Sequence, residues 1–397
     1  MSKMRGVTLD AAWAPKPDFK LGAKDVDGVQ TYLGSLVWKD PKLSIKEYDV
    51  PEPGPGQVLI KVKACGICGS DVHMAQAKED GYIFYPGLTG FPCILGHELS
   101  GTVVKGGPGA KDKRTNKPFV GGEMVCAEEM LWCGSCKPCA DGWPNHCERL
   151  DEIGFNVNGA FCDYIVLPDR CLWSLEPLRA RYKDEDIYLA GSLVEPCCVA
   201  YNAVIERGGG IRPGDNVVIC GGGPVGLAAC SILKRQGAAR VIMSEPQAER
   251  AALAKRMGAD FVIDPTKEDF TSEVLRLTDG MGASIYLEAT GLPTVVYPGI
   301  EQAVWEGRTL NSTVVVVARA EAKMPVTGEV LQVRRARIVG AQGHSGHGTF
   351  PRLIESMASG MDMLPMITKK INLDQVPENI IALQTDRTNC KITCVLD

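Results

Sequence analysis

The feature that most constrains the fold is a regular alternation of apolar runs and helix-like stretches over the second half of the chain. The apolar runs are DNVVIC, VIMSE, FVIDP, SIYLEAT, TVVVVA and RIVGAQG, and stretches such as QAERAALAKRMG separate them. Strands that alternate with helices of this length form right-handed βαβ units, which build a parallel sheet. We therefore predict a doubly wound α/β domain over residues 201–342.

A glycine-rich turn follows the first of these strands. Gly221, Gly223 and Gly226 form the pattern G-x-G-x-x-G, and Pro224 and Val225 open the helix that comes next. Glycines permit a tight turn and a close approach to a pyrophosphate, and the helix N-terminus supplies N–H donors. Because a strand precedes the turn and a helix follows it, the motif predicts a dinucleotide site rather than an ordinary turn.

An acidic residue ends the second strand of this domain. Glu245 stands 24 residues after Gly221. A carboxylate there can accept hydrogen bonds from both ribose hydroxyls of NAD and repel a 2′-phosphate. The alternative is a solvated acid at the start of a helix. Residues 289–291, which close a later strand, are predicted to lie near the nicotinamide.

The first part of the chain has a different pattern. QVLIKVKA at 57–64 alternates apolar and polar residues, and short β-prone runs such as LSGTVV and CDYIVLP follow between Gly, Pro and Asn. This pattern predicts an irregular, mainly antiparallel β domain. The polar, glycine-flanked segment 106–122 is predicted to be a long surface loop.

Five of the sixteen cysteines lie within 22 residues. Cys133, Cys136, Cys139 and Cys147 read C-x2-C-x2-C-x7-C, a spacing that lets one short lobe surround a tetrahedral ion and leaves no open position. This predicts structural zinc; an iron–sulfur cluster, which also uses four cysteines, is the main alternative. Cys126 is predicted to be an ordinary thiol. A secreted disulfide framework is disfavoured because the chain is large.

A second group of residues suggests a catalytic metal. Cys68 and His97 supply a thiolate and an imidazole, which zinc favours as ligands. A catalytic zinc needs a third protein ligand and one open position. Glu195 is the candidate, because an acidic residue within the apolar run SLVEPCC needs a partner. The alternative for Cys68 is an inert buried thiol, and the alternative for His97 is a hydrogen-bonded histidine of the core.

The motifs CGICGSDVH, GHE, the four-cysteine lobe, VEP and CGGGPVG occur in this order. In order and spacing the chain resembles the zinc-dependent medium-chain dehydrogenases over nearly its whole length, and VEP is similar to the sorbitol (polyol) dehydrogenase branch. The resemblance implies a GroES-like β domain that carries both zincs, over residues 1–200 and 343–397, and a Rossmann domain over 201–342. About 30 additional N-terminal residues and the long 106–122 loop depart from the family.

The resemblance also implies roles for single residues at the catalytic zinc. Cys68, His97 and Glu195 would be its ligands. Glu98 would ligate the ion or hold a bound water. Asp71 would orient His97 from outside the ligand set, which raises the basicity of a ligating imidazole.

A proton path and a cofactor contact follow from the same resemblance. Ser70 would pass the alcohol's proton through the cofactor ribose to His73, whose ordinary pKa suits release to water. Arg250 would lie near the adenosine ribose and give partial tolerance of NADP. The predicted cofactor is therefore NAD, and use of both NAD and NADP remains an alternative. His344 and His347 are expected near the nicotinamide, as substrate ligands or in a flexible turn. With no carboxylate expected nearby, they do not predict a third metal site.

The function predicted is oxidation of a secondary alcohol in a polyol or cyclic polyol, with NAD and two zinc ions per chain. Segments such as YNAVIERGGGIRPGDNVVI and QGHSGHGTFPR most resemble an inositol-catabolic branch of the family. Sorbitol, threitol, butanediol and L-threonine remain alternative substrates. A non-catalytic dinucleotide sensor is the alternative from a different class, and the presence of all ligand and relay residues disfavours it.

Charge and hydropathy restrict the partners to a small-molecule substrate. The formal net charge of −5 does not indicate a basic surface that would bind nucleic acid. The uncharged run Val217–Leu233 is shorter than the roughly 20 residues of a membrane span, and glycines and a proline interrupt it. No signal-like apolar core occurs in MSKMRGVTLDAAW, so a cytoplasmic location is expected. The resemblance implies a homo-oligomer, with a tetramer favoured and a dimer possible, paired through exposed edge strands near TVVVVA.

Overall fold

Short strands with alternating apolar and polar residues dominate the chain up to position 175. The structure is a computed structural model that describes residues 2–320, 322–344 and 346–397. Within that part of the chain these strands are β1 (Lys3–Trp13), β2 (Trp38–Asp49), β3 (Gln57–Gly66), β4 (Cys93–Ile94), β5 (Glu98–Gly106), β6 (Met124–Ala127), β7 (Met130–Leu131), β8 (Asp151–Glu152), β9 (Tyr164–Pro168) and β10 (Leu172–Ser174). They pair with one another antiparallel, which confirms the prediction of an antiparallel β domain.

Four helices accompany these strands and lead into the second domain. They are α1 (Gly69–Ala75), α2 (Lys137–Ala140), α3 (Asp184–Ser192) and α4 (Val194–Tyr201). A π-helical turn, Asn202–Arg207, extends α4. The segment 106–122 contains no strand or helix of its own, in agreement with the predicted loop.

The apolar runs after residue 215 form one parallel sheet. Its strands are β11 (Asn216–Cys220), β12 (Arg240–Ser244), β13 (Phe261–Ile263), β14 (Ile285–Glu288), β15 (Thr313–Val316) and β16 (Arg337–Gly340). The helices between them are α5 (Pro224–Arg235), α6 (Ala248–Arg256), α7 (Phe270–Leu277), α8 (Pro293–Glu306) and α9 (Gly328–Arg334). The strand order is β13-β12-β11-β14-β15-β16. This order is that of a dinucleotide-binding doubly wound fold, and its direction reverses between β11 and β14, where such folds bind ligands.

The C-terminal segment returns to the β domain. It forms α10 (Thr349–Ala358), β17 (Ile367–Ile371), α11 (Val376–Ala382) and β18 (Lys391–Val395). β18 pairs antiparallel with β3 and parallel with β17, so the last strand completes the sheet that begins at residue 57. This pairing agrees with assigning the tail to the first domain, while the boundaries at 200 and 343 stay a prediction.

Two features differ from the expectations. The N-terminal extension is ordered into the long hairpin β1–β2, whose first strand also pairs with β4, and no strand was predicted there. The run TVVVVA is not at an edge: β15 lies between β14 and β16, and β16 is the edge strand on that side of the sheet. The TVVV side chains are therefore largely buried within the sheet.

Within the described residues, no single helix is long and apolar enough to cross a membrane. The pair Asp184–Ser192 and Val194–Arg207, bent by 44°, passes that test only when the two helices are taken together. Most residues of both helices are buried in the core of this protein.

Candidate active site and metal centres

The register of β3 with its two neighbours assembles the first site. Gly66, the last residue of β3, pairs with Glu98 of β5 on one side and with Thr393 of β18 on the other. Cys68 follows two residues later and lies beside the loop before β5. As a result, the potential ligand atoms of Cys68, His97 and Glu98 all lie within 4.8 Å of one another.

Asp71 holds the two loops of this site together. Its Oδ2 accepts a hydrogen bond from the Cys68 amide at 2.8 Å, and its Oδ1 accepts one from the Gly96 amide at 3.3 Å. The same Oδ1 lies 3.9 Å from Nδ1 of His97, which is longer than a hydrogen bond. Asp71 is fully buried, so it fixes the backbone of both ligand-bearing loops and the electrostatic surroundings of His97.

A buried lysine is the residue that the sequence reasoning missed here. Lys391 opens β18 and is 1% exposed, and its Nζ lies 2.5 Å from Glu98 Oε1 and donates to the Ile67 carbonyl at 2.9 Å. Burial opposes its charge, but Glu98 and Cys68 outweigh that effect and raise the pKa of the Lys391 ammonium. The sequence signal was a lysine at the head of the apolar run KITCVL.

The donor set fits a zinc ion. Among the described residues, His97 Nδ1 and Glu98 Oε2 are buried and make no hydrogen bond. Glu98 Oε2 lies so close to Gly66 that an added Cβ there would clash with it. A thiol, an imidazole and a carboxylate, close together and with unused capacity, are ligands that zinc takes in catalytic sites.

The carboxylate of Glu195 belongs to a neighbouring cluster. Its Oε1 lies 3.0 Å from His344 Nε2, and Glu129 Oε2 lies 2.8 Å from the same nitrogen. All three side chains are buried, and their ligand atoms lie within 4.8 Å of one another. Glu195 thus faces His344 here, close enough to His97 to act on it electrostatically. Its role as the third zinc ligand stays a prediction.

The expectation that no carboxylate lies near His344 is wrong, because two of them contact it. Burial disfavours the charged ring, but Glu195 and Glu129 outweigh this and raise the pKa of His344 to about 10. His344 is therefore held between two carboxylates. His347 lies apart: it is exposed, and its ring packs on Trp143 with centroids 5.0 Å apart.

The two relay residues lie on one short helix. Ser70 and His73 both belong to α1, and the Ser70 hydroxyl is buried and makes no hydrogen bond within the described residues. His73 is exposed, and partial desolvation together with Arg387 lowers its pKa. A hydroxyl beside Cys68 and an imidazole at the surface are the two ends that the predicted relay requires. The path between them stays a prediction.

The four cysteines of the lobe converge as their spacing predicted. Cys136 Sγ lies 3.4 Å from Cys139 Sγ and 3.8 Å from Cys147 Sγ, and all four sulfurs, with Cys133, lie within 4.8 Å of one another. Each of the sixteen cysteines is a free thiol. The Ser135 amide is the main cause that lowers the pKa of Cys133 to about 5, and a thiolate is the form that binds metal.

The glycine turn has the geometry that a dinucleotide requires. Gly221 adopts φ of +105°, and a Cβ at Gly226 would lie 1.9 Å from the Gly221 carbonyl, so both positions need glycine. A Cβ at Gly223 would meet open space, and this residue caps α5 just before Pro224 and Val225. The turn therefore leaves the helix N-terminus open to an anionic group.

Glu245 and Arg250 lie beyond this turn. Glu245 Oε2 accepts from the Gly222 amide at 2.7 Å and Oε1 accepts from the Gln247 amide at 2.8 Å, so the carboxylate is fixed beside the turn. Arg250 donates to the Asn389 carbonyl at 2.9 Å and thereby ties α6 to the C-terminal segment.

A second carboxylate at this edge of the sheet was missed by the sequence reasoning. Glu288 ends β14, is fully buried, and accepts from the amides of Thr290 and Gly291. The amide of Ala289, the residue directly after Glu288, donates to the Cys220 carbonyl at 3.0 Å. Glu288 therefore shapes the segment 289–291 against the glycine turn. The signal was an acidic residue in the apolar run SIYLEAT.

Comparison with known proteins agrees with this architecture. Residues 54–177 match the family model of the alcohol dehydrogenase GroES-like domain, and residues 224–359 match that of zinc-binding dehydrogenases. A scyllo-inosose 3-dehydrogenase of Thermotoga maritima is 61% identical over 98% of this chain and 99% of its own length. The chain belongs to the zinc-dependent medium-chain dehydrogenase family.

More distant relatives and solved structures support the same membership. An L-threonine 3-dehydrogenase of Pyrococcus horikoshii is 36% identical over 66% of this chain and 70% of its own. A solved Thermotoga maritima structure described as an alcohol dehydrogenase has a TM-score of 0.96 at 60% identity, covering 99% of this chain and 100% of that one. As a member of the family, the protein is an oxidoreductase of CH–OH groups that uses zinc and NAD.

Proposed function

We propose that the enzyme oxidises a ring hydroxyl of a cyclic polyol, with scyllo-inosose as the substrate that fits best. The observation that carries this is the buried polar cluster of Glu129, Glu195 and His344 beside the Cys68–His97–Glu98 group. Two carboxylates and an imidazole next to the reacting centre suit a substrate with several hydroxyls. A simple alcohol has no further hydroxyl with which to use the remaining hydrogen-bonding capacity of these carboxylates. The identity to the Thermotoga maritima scyllo-inosose 3-dehydrogenase supports the same substrate.

We infer that Cys68, His97 and Glu195 hold the catalytic zinc, with Glu98 as a neighbouring carboxylate. The zinc would supply Lewis acidity that lowers the pKa of the substrate hydroxyl, and NAD would accept the hydride. Lys391 pairs with Glu98 and balances its charge beside the ligands. His344 pairs with Glu195 and limits how far that carboxylate can move.

Other residues of this enzyme have three further tasks in the proposed function. The Ser70 hydroxyl takes the proton of the reacting alcohol as it gives its own proton onward in the direction of His73, and His73 releases a proton to water. Gly221, Gly223 and Gly226 admit the pyrophosphate at the start of α5, with Pro224 and Val225 in its first turn. The lobe of Cys133, Cys136, Cys139 and Cys147 holds the second, structural zinc.

Cofactor preference gives one expected result. Replacing Glu245 by alanine removes the partner of the ribose hydroxyls and the charge that repels a 2′-phosphate. We expect kcat/KM for NAD to fall by about 10- to 100-fold and the preference over NADP to narrow. Steady-state kinetics with both cofactors measures this. Glu249→Ala serves as the control, because Glu249 is an exposed residue of α6. An unchanged preference in Glu245→Ala would place the Glu245 carboxylate away from the ribose.

We also infer self-association, with a tetramer favoured over a dimer. The exposed edge strand β16 supports this, because an unpaired parallel edge can extend its sheet into a second copy. The sequence predicts pairing between subunits through the TVVVVA strand, but the exposed edge on that side of the sheet is Arg337–Gly340. The cytoplasmic location stays a prediction.

The substrate proposal is tested by the absorbance of NADH over a panel of compounds. We expect the highest kcat/KM for scyllo-inosose or another inositol-ring substrate, and lower values for sorbitol, 2,3-butanediol and L-threonine. A linear polyol or L-threonine at the top of the panel would contradict the cyclic substrate. If zinc and NAD bind but no compound is turned over, the result favours the alternative of a non-catalytic dinucleotide sensor.

A further inference from the structure

A buried carboxyl group near the proposed active site has no role in the chemistry described so far. Glu152, on β8, is 4% exposed, and its Oε2 makes no hydrogen bond to any part of the chain that the structure describes. A buried polar atom without a partner destabilises the folded state. The unused oxygen is therefore available to a ligand.

The backbone around Glu152 is fixed. Glu152 pairs with Met130 across the β7–β8 ladder, and the amide of the next residue, Ile153, donates to the Glu129 carbonyl at 3.0 Å. The Glu152 amide donates to the side chain of Asn156 at 2.7 Å, and its carbonyl accepts from the Phe155 amide at 3.1 Å. A side chain on so well-bonded a segment is positioned in advance of binding.

This segment connects directly to His97. The ring of Phe155 lies 4.9 Å from the His97 ring and 5.3 Å from the Tyr85 ring, measured between centroids. Arg319, which follows β15 in the cofactor domain, donates from Nη1 to the Tyr85 hydroxyl at 3.2 Å, and its guanidinium lies 5.2 Å from that ring. Groups from both domains therefore meet next to the zinc-ligand cluster.

The electrostatic surroundings agree with this location. Burial, and then the negative charge of Glu129, raise the pKa of Glu152 to about 8. The positive charge of Arg319 opposes this shift, so a cation that follows β15 acts on the Glu152 carboxyl group. A carboxyl with a raised pKa both donates and accepts hydrogen bonds near neutral pH, as does a substrate hydroxyl.

We propose that Glu152 binds a ring hydroxyl of the substrate other than the one that is oxidised, and that Arg319 and Tyr85 bind further oxygens of the same ring. This rests on the proposed oxidation of a cyclic polyol and assigns the residues that select it. A substrate with a single hydroxyl leaves Glu152 without a partner, so the pocket favours polyhydroxylated rings over simple cyclic alcohols.

The variant Glu152→Leu tests this selection. Leucine has a similar size and removes the unpaired oxygen, so we expect a melting temperature at or above that of the parent enzyme. We expect kcat/KM for scyllo-inosose to fall by about 10- to 100-fold, chiefly through KM. The affinity for cyclohexanol, measured as a competing ligand, should stay the same or rise. Glu152→Gln keeps a donor and an acceptor and should recover most of the loss.

A matched control lies next to Glu152 in the sequence. Asp151 is on the other face of the same strand, where its Oδ1 accepts a hydrogen bond from Asn156. Asp151→Asn should therefore leave both kcat/KM for scyllo-inosose and the affinity for cyclohexanol unchanged. Calorimetric titration of myo-inositol into the NADH-loaded, zinc-replete enzyme gives a second readout, with weaker binding expected for Glu152→Leu alone.

Three outcomes separate this inference from the proposed function. If the parent enzyme turns over scyllo-inosose and Glu152→Leu does so with unchanged KM and inositol affinity, the role of Glu152 is wrong and the function stands. Equal losses for scyllo-inosose and cyclohexanol also overturn it, since they indicate a purely structural effect. If the parent enzyme neither binds nor oxidises inositol rings, both proposals fail.

Discussion

Replacing Cys68 with serine is expected to abolish turnover almost completely. A serine hydroxyl stays protonated at neutral pH and is a poor zinc ligand, so the site loses its soft anionic donor. Without a tightly bound ion the substrate hydroxyl is not acidified, and we expect kcat to fall by about 1000-fold or more. Metal analysis of the purified variant should give one zinc per chain, against two in the parent enzyme.

Cys65 offers a matched control for this change. It lies three residues earlier, on β3, and is a fully buried thiol outside the cluster formed by Cys68, His97 and Glu98. Cys65→Ser should keep two zinc ions and activity within a few-fold of the parent. If Cys68→Ser keeps both zinc ions and a tenth or more of the activity, Cys68 is not a zinc ligand, and the ion must be held by the cluster of Glu195 with Glu129 and His344.

The second large effect is expected on stability. Cys136 lies at the centre of the four-cysteine lobe, and Cys136→Ala removes one of four ligands from a closed site. Because binding of structural zinc contributes directly to the free energy of folding, we expect the melting temperature to fall by about 10 °C or more. Zinc content should fall to one per chain, and calorimetry with metal analysis measures both.

Cys126 separates loss of metal from loss of a thiol. It lies seven residues before the lobe, fully buried on β6, and is not part of the cluster. Cys126→Ala should keep two zinc ions and lower the melting temperature by only a few degrees. A Cys136→Ala protein as stable as the Cys126→Ala protein would contradict the view that zinc stabilises this lobe.

Local patterns in the sequence determined most of the architecture. The alternation of strands and helices after residue 215 predicted the parallel sheet, because βαβ connections leave few other topologies. The four cysteines were predictable because their spacing closes the site within one lobe. The glycine turn was predictable because Gly221 and Gly226 meet steric demands that no other residue satisfies.

Only the tertiary structure decided what surrounds the reacting centre. Lys391 reaches Glu98 because β18 pairs with β3 on the side opposite β5, a contact between residues 293 positions apart. His344 meets Glu129 and Glu195 for the same reason, since three distant segments converge on it. The pairing of buried charges depends on which strands and loops become neighbours, and sequence spacing carries no information about that.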